Sequence, residues 1–451
     1  MSEARFERLM TTFLALSKEV GQSPALLPLT YDVALATFPE THEIDVRVSL
    51  LIGAPSGSDP DIRMYLGIPD MNVFRLRDLR VNRSMTAYKY RSPRLDVRLP
   101  SRLRPGETVR FDLAYRGRIN SPKNYVGVRG TELMGEGLWL PIVCFPGPRF
   151  LLNIVTDVPE GEVTAAPGRP ASTRTRSGRT VTAWKSDVSV SSHTVVSGPF
   201  SVRSGGVGTT EVHTLVQNGY ESSADDLVKS STAVLGTGKR WFGSLPLSRI
   251  YLVQPRRPDY GEYAHMPFIV YAKTNLSKAP DAISRMKLFE ATAHELGHFW
   301  WGNVVASDSV NEGWLSEGFA DFTKVLSLEE SFGRAEAVRM LENMCSVVKK
   351  QGQVPPLAVI DMSHPNQGQI VRRQGGLFLE AVREKYGDDN MKALLQSIYR
   401  DFADRRMTTK DFIDEAVACL QGQDVEAFLQ SHLYGTPVYE MEGGRLAWRQ
   451  V

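Results

Sequence analysis

The sequence predicts two unlike halves, an N-terminal antiparallel β-sandwich followed by an α+β, mainly helical domain that holds a metal. Three observations predict this. Apolar residues alternate with period two from about residue 28 to 203, as half-buried strands require. Helical spacing takes over after residue 208. One of the later helical stretches contains His294-Glu295-Leu296-Gly297-His298, a pattern with a metal chemistry of its own.

The bulk properties admit such a protein and exclude several others. At roughly 150 residues per domain, 451 residues suggest two or three domains. The 42% hydrophobic and 23% charged content is ordinary for a globular chain, which excludes wholesale disorder, collagen and coiled coil. Lys+Arg 53 against Asp+Glu 51 leaves a net charge of +2, so nothing global points to nucleic acid or an anionic membrane. Arg256-Arg257, Arg372-Arg373 and Arg405-Arg406 are isolated pairs without aromatic platforms, and a nucleic-acid partner is not expected. Cys144, Cys345 and Cys419 are odd in number and far apart, which gives no disulfide framework and fits a reducing compartment.

Residues 1–27 read as an N-terminal amphipathic helical extension, with Phe6, Leu9, Met10, Phe13, Leu14 and Val20 at helical spacing. Glu3, Glu7, Lys18 and Glu19 break any secretory pattern, and no run of 18 apolar residues occurs. A cytoplasmic location without a membrane partner is therefore expected. Residues 28–205 form the sandwich domain. EIDVRVSLLI (43–52) puts Ile44, Val46, Val48 and Leu50 on one face, and 95–99, 109–113, 181–184 and 188–190 repeat the alternation. Pro105-Gly106, Pro159-Glu160-Gly161 and Ser177-Gly178 supply turns. Ser204-Gly205-Gly206-Val207-Gly208 marks the expected boundary to a third unit, 206–451. Helices are expected at Ser222–Phe242, Ala282–Trp301, Leu315–Ser327, Gly333–Lys349, Gly375–Tyr386 and Val425–Leu433, and strands at Ile250–Gln254 and Phe268–Tyr271.

On a helix, residues i and i+4 share a face, so His294 and His298 can aim imidazole nitrogens at one ion. Glu295 lies about 100° further round, beside the ion, where a carboxylate can take a proton from an activated water. A catalytic zinc site needs a third protein ligand and one open position. Glu317, with 18 residues between it and His298, can return on a reversing helix as that ligand. Asp321 shares the face of Glu317 and can accept a hydrogen bond from a ligating histidine.

The runs HELGHFWWGN (294–303) and WLSEGFA (314–320), at this separation, resemble the M1 family of zinc aminopeptidases within the gluzincins. GLWLP (137–141) is similar to part of that family's N-terminal sandwich, QGGLFLEAVREKYG (374–387) to the helix after its active site, and FLQSHLYGTP (428–437) to the end of its thermolysin-like domain. The resemblance covers nearly the whole chain and leaves no room for the family's large C-terminal helical domain, so a short form is expected. It implies a thermolysin-like zinc domain, one Zn²⁺ per chain held by His294, His298 and Glu317, Glu295 as general base, and a peptide or peptide-like substrate.

Two segments depart from the family. Its Gly-x-Met-Glu-Asn strand, whose Glu holds the substrate amine, corresponds here to Gly261-Glu262-Tyr263-Ala264-His265. The Glu position falls on Ala264. Either Glu262 serves instead or the anchor is missing, with Gly261, Tyr263 and His265 lining the cleft. The family's oxyanion tyrosine corresponds to Arg372, in Val371-Arg372-Arg373-Gln374-Gly375, and Tyr386 lies too far along to replace it. Arg372 is the candidate oxyanion donor. The competing expectations are an M1-like zinc hydrolase for a blocked or non-peptide substrate, and a non-catalytic zinc scaffold with Asp361 or His364 as a fourth ligand. Oligomeric state is not legible.

Overall fold

The structure is a computed structural model that describes residues 26–58, 60–66, 75–91, 94–121, 123–143, 149–186, 188–256, 262–271, 275–308, 312–352, 354–360, 366–422 and 424–449. Residues 1–25 of the expected N-terminal extension and Gly261 lie outside these residues, as do Cys144, Asp361 and His364, and Leu27 already belongs to a strand.

The alternating stretch forms an eight-stranded sheet, a five-stranded sheet and a three-stranded sheet around one apolar core. Leu27–Phe38, Glu43–Ala54 and Glu107–Arg118 are its long central strands. Ile44, Val46, Val48 and Leu50 face inward together, because side chains two apart on a strand share a face. The pairing is antiparallel except between Leu27–Phe38 and Leu151–Pro159, which run parallel. The strand expected at 188–190 reduces to a single bridge from Val190 to Phe150.

A further five-stranded sheet joins the halves. It contains Phe200–Val207, Thr210–Gln217, Arg249–Val253, Phe268–Val270 and Tyr263–His265, the last at an edge. Leu215, Tyr251, Val253, Phe268 and Val270 face the sandwich core, while Val212, Val216, Ile250, Leu252 and Ile269 face the helical core. Burial on both faces explains why Arg249–Val253 and Phe268–Val270 read as short apolar runs. The glycine-rich run 204–208, expected as the domain boundary, is strand and turn of the hairpin that begins at Phe200. Its glycines have a local reason, since a Cβ at Gly206 would sit 2.2 Å from the Thr210 carbonyl oxygen.

Helices cover the outer face of this sheet. Glu221–Trp241, Ala282–Trp300, Trp314–Phe332, Arg334–Lys350 and Val425–Leu433 match the expected periodicity within a few residues, although the third runs on from Ser327 to Phe332. The helix expected from Gly375 starts earlier, at Gln367, and runs to Tyr386. Gly375-Gly376 suggested a helix start, but both glycines lie inside it. Asp388–Asp401 and Thr409–Cys419 are two further helices. The second has a legible signal, because Thr408 and Asp411 form a reciprocal capping box.

Candidate active site

Three helices build the site, and glycines set their spacing. Asp281 caps the first, its side chain accepting from Ser284 N at 2.7 Å. Near the other end of that helix stands Gly297, where a Cβ would lie 2.9 Å from Ala320 Cα on Trp314–Phe332. Only glycine lets the two backbones touch there, and that contact brings Glu317 to the histidines. On the far side of the same helix, a Cβ at Gly318 would lie 2.8 Å from Gly375 Cα. This second contact seats Gln367–Tyr386 close enough for Arg372 and Arg373 to reach Asp321.

His294 Nε2 and His298 Nε2 lie 3.2 Å apart. Glu317 Oε2 is 3.4 Å from the first and its Oε1 is 3.6 Å from the second. Three atoms bound tetrahedrally to zinc at about 2.0–2.1 Å stand about 3.3 Å from one another. The triad therefore fits such an ion, and among the described residues it is the cluster that could hold one.

Each ligand is oriented from behind. His294 Nδ1 hydrogen-bonds Asp321 Oδ1 at 2.9 Å, which turns Nε2 toward the triad. His298 Nδ1 pairs with Ser316 Oγ at 3.1 Å, and Ser316 Oγ donates to Trp301 O at 3.0 Å. Ser316 was not singled out from the sequence; its place beside Glu317 on the second helix was the available signal. Asp321 also accepts from Lys324 Nζ at 2.7 Å, Arg372 Nε at 3.1 Å and Arg373 Nη1 at 2.6 Å. Four donors saturate a carboxylate. Burial alone would raise its pKa, but Lys324, His294 and Arg372 hold it well below the usual carboxylate range.

The same fields act across the site. Burial pushes Glu295 up to about 7, against the pull of His294. Glu317 is drawn down to about 2, since His298 and His294 outweigh its desolvation. Burial lowers His298 to about 4, while Asp321 and Glu317 overcome burial to raise His294.

A cavity of about 430 Å³ opens on the triad and is lined by Glu295, Arg372 and Asn303 on the helical side. Asn303 is held on three sides: Nδ2 donates to His298 O at 2.8 Å, and Oδ1 accepts from Met266 N at 3.1 Å and from Ser191 Oγ. The edge strand supplies Tyr263, Ala264 and His265. Tyr263 OH donates to Met134 Sδ at 2.7 Å, and its ring centroid lies 5.3 Å from that of His265. Glu262 lines the cavity too and accepts from Asn275 Nδ2. It immediately precedes the strand Tyr263–His265, and residues 262–265 all line the cavity. Desolvation raises its pKa, and His294 and Arg372 oppose that shift. Of the two readings open in the sequence, the structure thus places a carboxylate, Glu262, beside the residue at the expected position.

Residues 246–432, which include all three helices, match the family model for the Peptidase family M1 domain. This segment is therefore similar to a peptidase family M1 domain. Aminopeptidase N of Lactococcus lactis subsp. cremoris is 26% identical over 201 residues, covering 41% of this chain and 24% of that protein. Aminopeptidase A of Gloydius brevicauda is 27% identical over 169 residues, 34% of this chain and 18% of that protein. The chain thus spans less than a quarter of the length of these relatives. A solved M1 zinc metallopeptidase from Deinococcus radiodurans superposes with TM-score 0.72 at 20% identity, over 91% of this chain and 94% of that one. The helical half and the sandwich together therefore share the fold of that metallopeptidase.

Proposed function

We propose that this chain is an M1-type zinc metallopeptidase that hydrolyses an amide bond of a peptide or peptide-like substrate. The observation that carries the proposal is the convergence of His294, His298 and Glu317 within 3.2–3.6 Å, with Glu295 on the cavity wall beside them. One Zn²⁺ per chain would be held by that triad, where it lowers the pKa of water and polarises a carbonyl. Glu295 takes the proton of the attacking water and delivers it to the leaving amine. Burial alone raises its pKa toward neutrality, and the charge of an ion held by the triad would draw it down and keep Glu295 ionised as a base. Asp321 and Ser316 hold the two imidazoles in the ligating tautomer.

Arg372 is proposed as oxyanion donor. Its Nε is tied to Asp321 while the side chain lines the cavity, and a planar guanidinium fixed at one nitrogen has its remaining donors preoriented. Glu262 is proposed as the anchor of a free amine. A half-buried carboxylate with a raised pKa gains most from an ammonium partner. This supports aminopeptidase-like recognition despite Ala264, with Tyr263 and His265 beside the bound end. The division into an extension, a sandwich and a catalytic unit is retained as a proposal, with the last boundary moved ahead of Phe200. A reducing, cytoplasmic setting is proposed on the free Cys345 and Cys419.

Glu295→Gln should keep zinc, by elemental analysis, and lose at least about a hundredfold in kcat. An unchanged rate would remove Glu295 from the mechanism, and full zinc occupancy in Glu317→Ala would refute the third ligand. Faster turnover of N-blocked than of free-amine substrates would refute the role of Glu262.

A further inference from the structure

The net charge of +2 hides an uneven distribution. Residues 61–118 carry thirteen arginines and one lysine against five aspartates and one glutamate, which leaves net +8 there and makes the rest of the chain net negative. Much of the excess stands on one surface. In the three-stranded sheet, Asp61–Tyr65, Arg94–Arg98 and Tyr88–Arg91 lie side by side in that order. Ile62, Met64, Leu95 and Val97 face the sandwich core. Strand alternation therefore sends Arg63, Lys89, Arg91, Arg94 and Arg98 to the other face, together with Asp61 and Asp96. Two carboxylates serve five cations. Asp96 pairs with Arg94 at 2.8 Å and with Arg63 at 3.2 Å, and Asp61 lies 3.6 Å from Arg98. Lys89 and Arg91 are exposed and, among the described residues, form no ion pair. Arg91 stands directly opposite Arg94 in the register, a like-charge pair that costs stability unless an anion lies over it. Met85 and Tyr88 border this face at 68% and 41% exposure. The link between them is tied to the sheet by Thr86 Oγ1, which donates to Arg98 O at 3.3 Å.

We propose that this basic face docks on an anionic membrane surface, with lipid headgroups over its five cations and with Met85 and Tyr88 entering the interface. Three properties point to that partner. The first is charge: a cation beside an anionic leaflet gains attraction while keeping much of its hydration, and a planar guanidinium matches the oxygens of a phosphate. The second is shape. A sheet face sets its cations in rows about 4.8 Å apart, which suits a plane of headgroups better than a groove would. The third is the apolar border, because a tyrosine with an apolar ring and a polar hydroxyl favours the boundary between headgroup and acyl chain. Among the described residues no helix is long and apolar enough to cross a membrane, so the contact is peripheral. Single-stranded nucleic acid fits less well. It needs aromatic faces in series along its path, whereas one exposed tyrosine, Tyr88, borders this face. The charge balance of the whole chain gave no membrane expectation because acidic residues elsewhere cancel the local excess.

The test is cosedimentation of the full chain with vesicles of phosphatidylcholine alone and of phosphatidylcholine with phosphatidylserine. Binding should require phosphatidylserine and should weaken at high salt, where surface attraction is screened. Lys89→Glu together with Arg91→Glu should lower the partition coefficient at least about tenfold, since each charge near the leaflet contributes separately. Both side chains are exposed, so the urea midpoint of that variant should stay unchanged. Asp96→Ala should raise the partition, because it removes a negative charge from the face. Met85→Ser should lower it and leave the salt dependence intact. Equal binding to both vesicles, binding to neither, or a partition unmoved in the charge variants would overturn the proposal. Tighter binding of single-stranded RNA or of an acidic peptide than of the phosphatidylserine vesicles would assign the face to that partner and overturn it too. Each of these outcomes leaves the hydrolase reading untouched.

Discussion

The eight-stranded sheet and the site helices treat charge in opposite ways. In the eight-stranded sheet, Asp45, Arg47, Asp112 and Arg116 share strands with fully buried apolar residues yet stand on the other face, half-buried or exposed. In the helical half, Asp321 and Glu380 are fully buried, Lys324 is 2% exposed, and Glu295 and Arg383 are 7% exposed. A strand needs only every second residue inside, so its charges keep their hydration. The site helices are packed on several sides, so a charge there must find partners within the protein. Asp321 finds four. The difference teaches that a charge buried beside the triad is held by partners within the protein, and the pairing around Asp321 also fixes the geometry of His294 and Arg372.

The strongest test of this contrast is Asp321→Ala. It strands Lys324, Arg372 and Arg373 without their carboxylate, and breaking a buried pair typically costs about 3–5 kcal/mol. Urea denaturation of metal-stripped protein reads the effect apart from zinc binding. A change below about 1 kcal/mol would mean that the cluster is not desolvated. Zinc affinity should also fall about 10- to 100-fold, measured by chelator competition, because His294 loses its orienting partner.

A smaller effect is expected at His193, whose imidazole is buried neutral where the sandwich lines the cavity. Its folded pKa of about 3 lies below the ordinary 6.5. Between those values the unfolded chain binds a proton that the folded chain does not, so stability falls as pH falls. One group titrating this way costs about 1.4 kcal/mol per pH unit, or about 2 kcal/mol between pH 6.5 and 5. His193→Phe should remove that increment, read as a shallower decline of unfolding free energy over this range. Identical pH profiles for variant and wild type would show that His193 accepts a proton in the folded state.

The smallest effect belongs to the exposed charges of the sandwich. Asp96 pairs with Arg94 at 2.8 Å and with Arg63 at 3.2 Å, with both arginine side chains more than a third exposed. Solvent screening limits such pairs to about 0–1 kcal/mol. Asp96→Ala should therefore change the urea midpoint little, and a loss approaching that of Asp321→Ala would erase the contrast between exposed and buried charge.

Much of the fold was legible because its periodicities are local. The alternation at 43–52 and the spacing in 282–301 each depend on which face of one element meets a core. Readings failed where a residue's reason lay in another element. Gly375-Gly376 resembled a helix start because nothing nearby shows that Gly318 presses against Gly375. The run 204–208 resembled a domain boundary because nothing nearby shows its pairing with Thr210–Gln217. Ser316 and Glu262 were hard to weigh for the same reason. A serine beside Glu317, or a glutamate two places ahead of Ala264, gains meaning only from what faces it.

The sequence by itself put His294 and His298 on one helix face with Glu295 beside them and offered Glu317 as a third ligand. It also determined which half would be sheet and which mainly helix. Only the tertiary structure decided that Asp321 binds His294 together with three cations, that Arg372 is tethered by its Nε, and that Glu262 lines the cavity over the triad. The physical reason is range. Helical and strand periods act over a few residues, whereas packing, desolvation and charge pairing act between groups that the chain brings together from far apart.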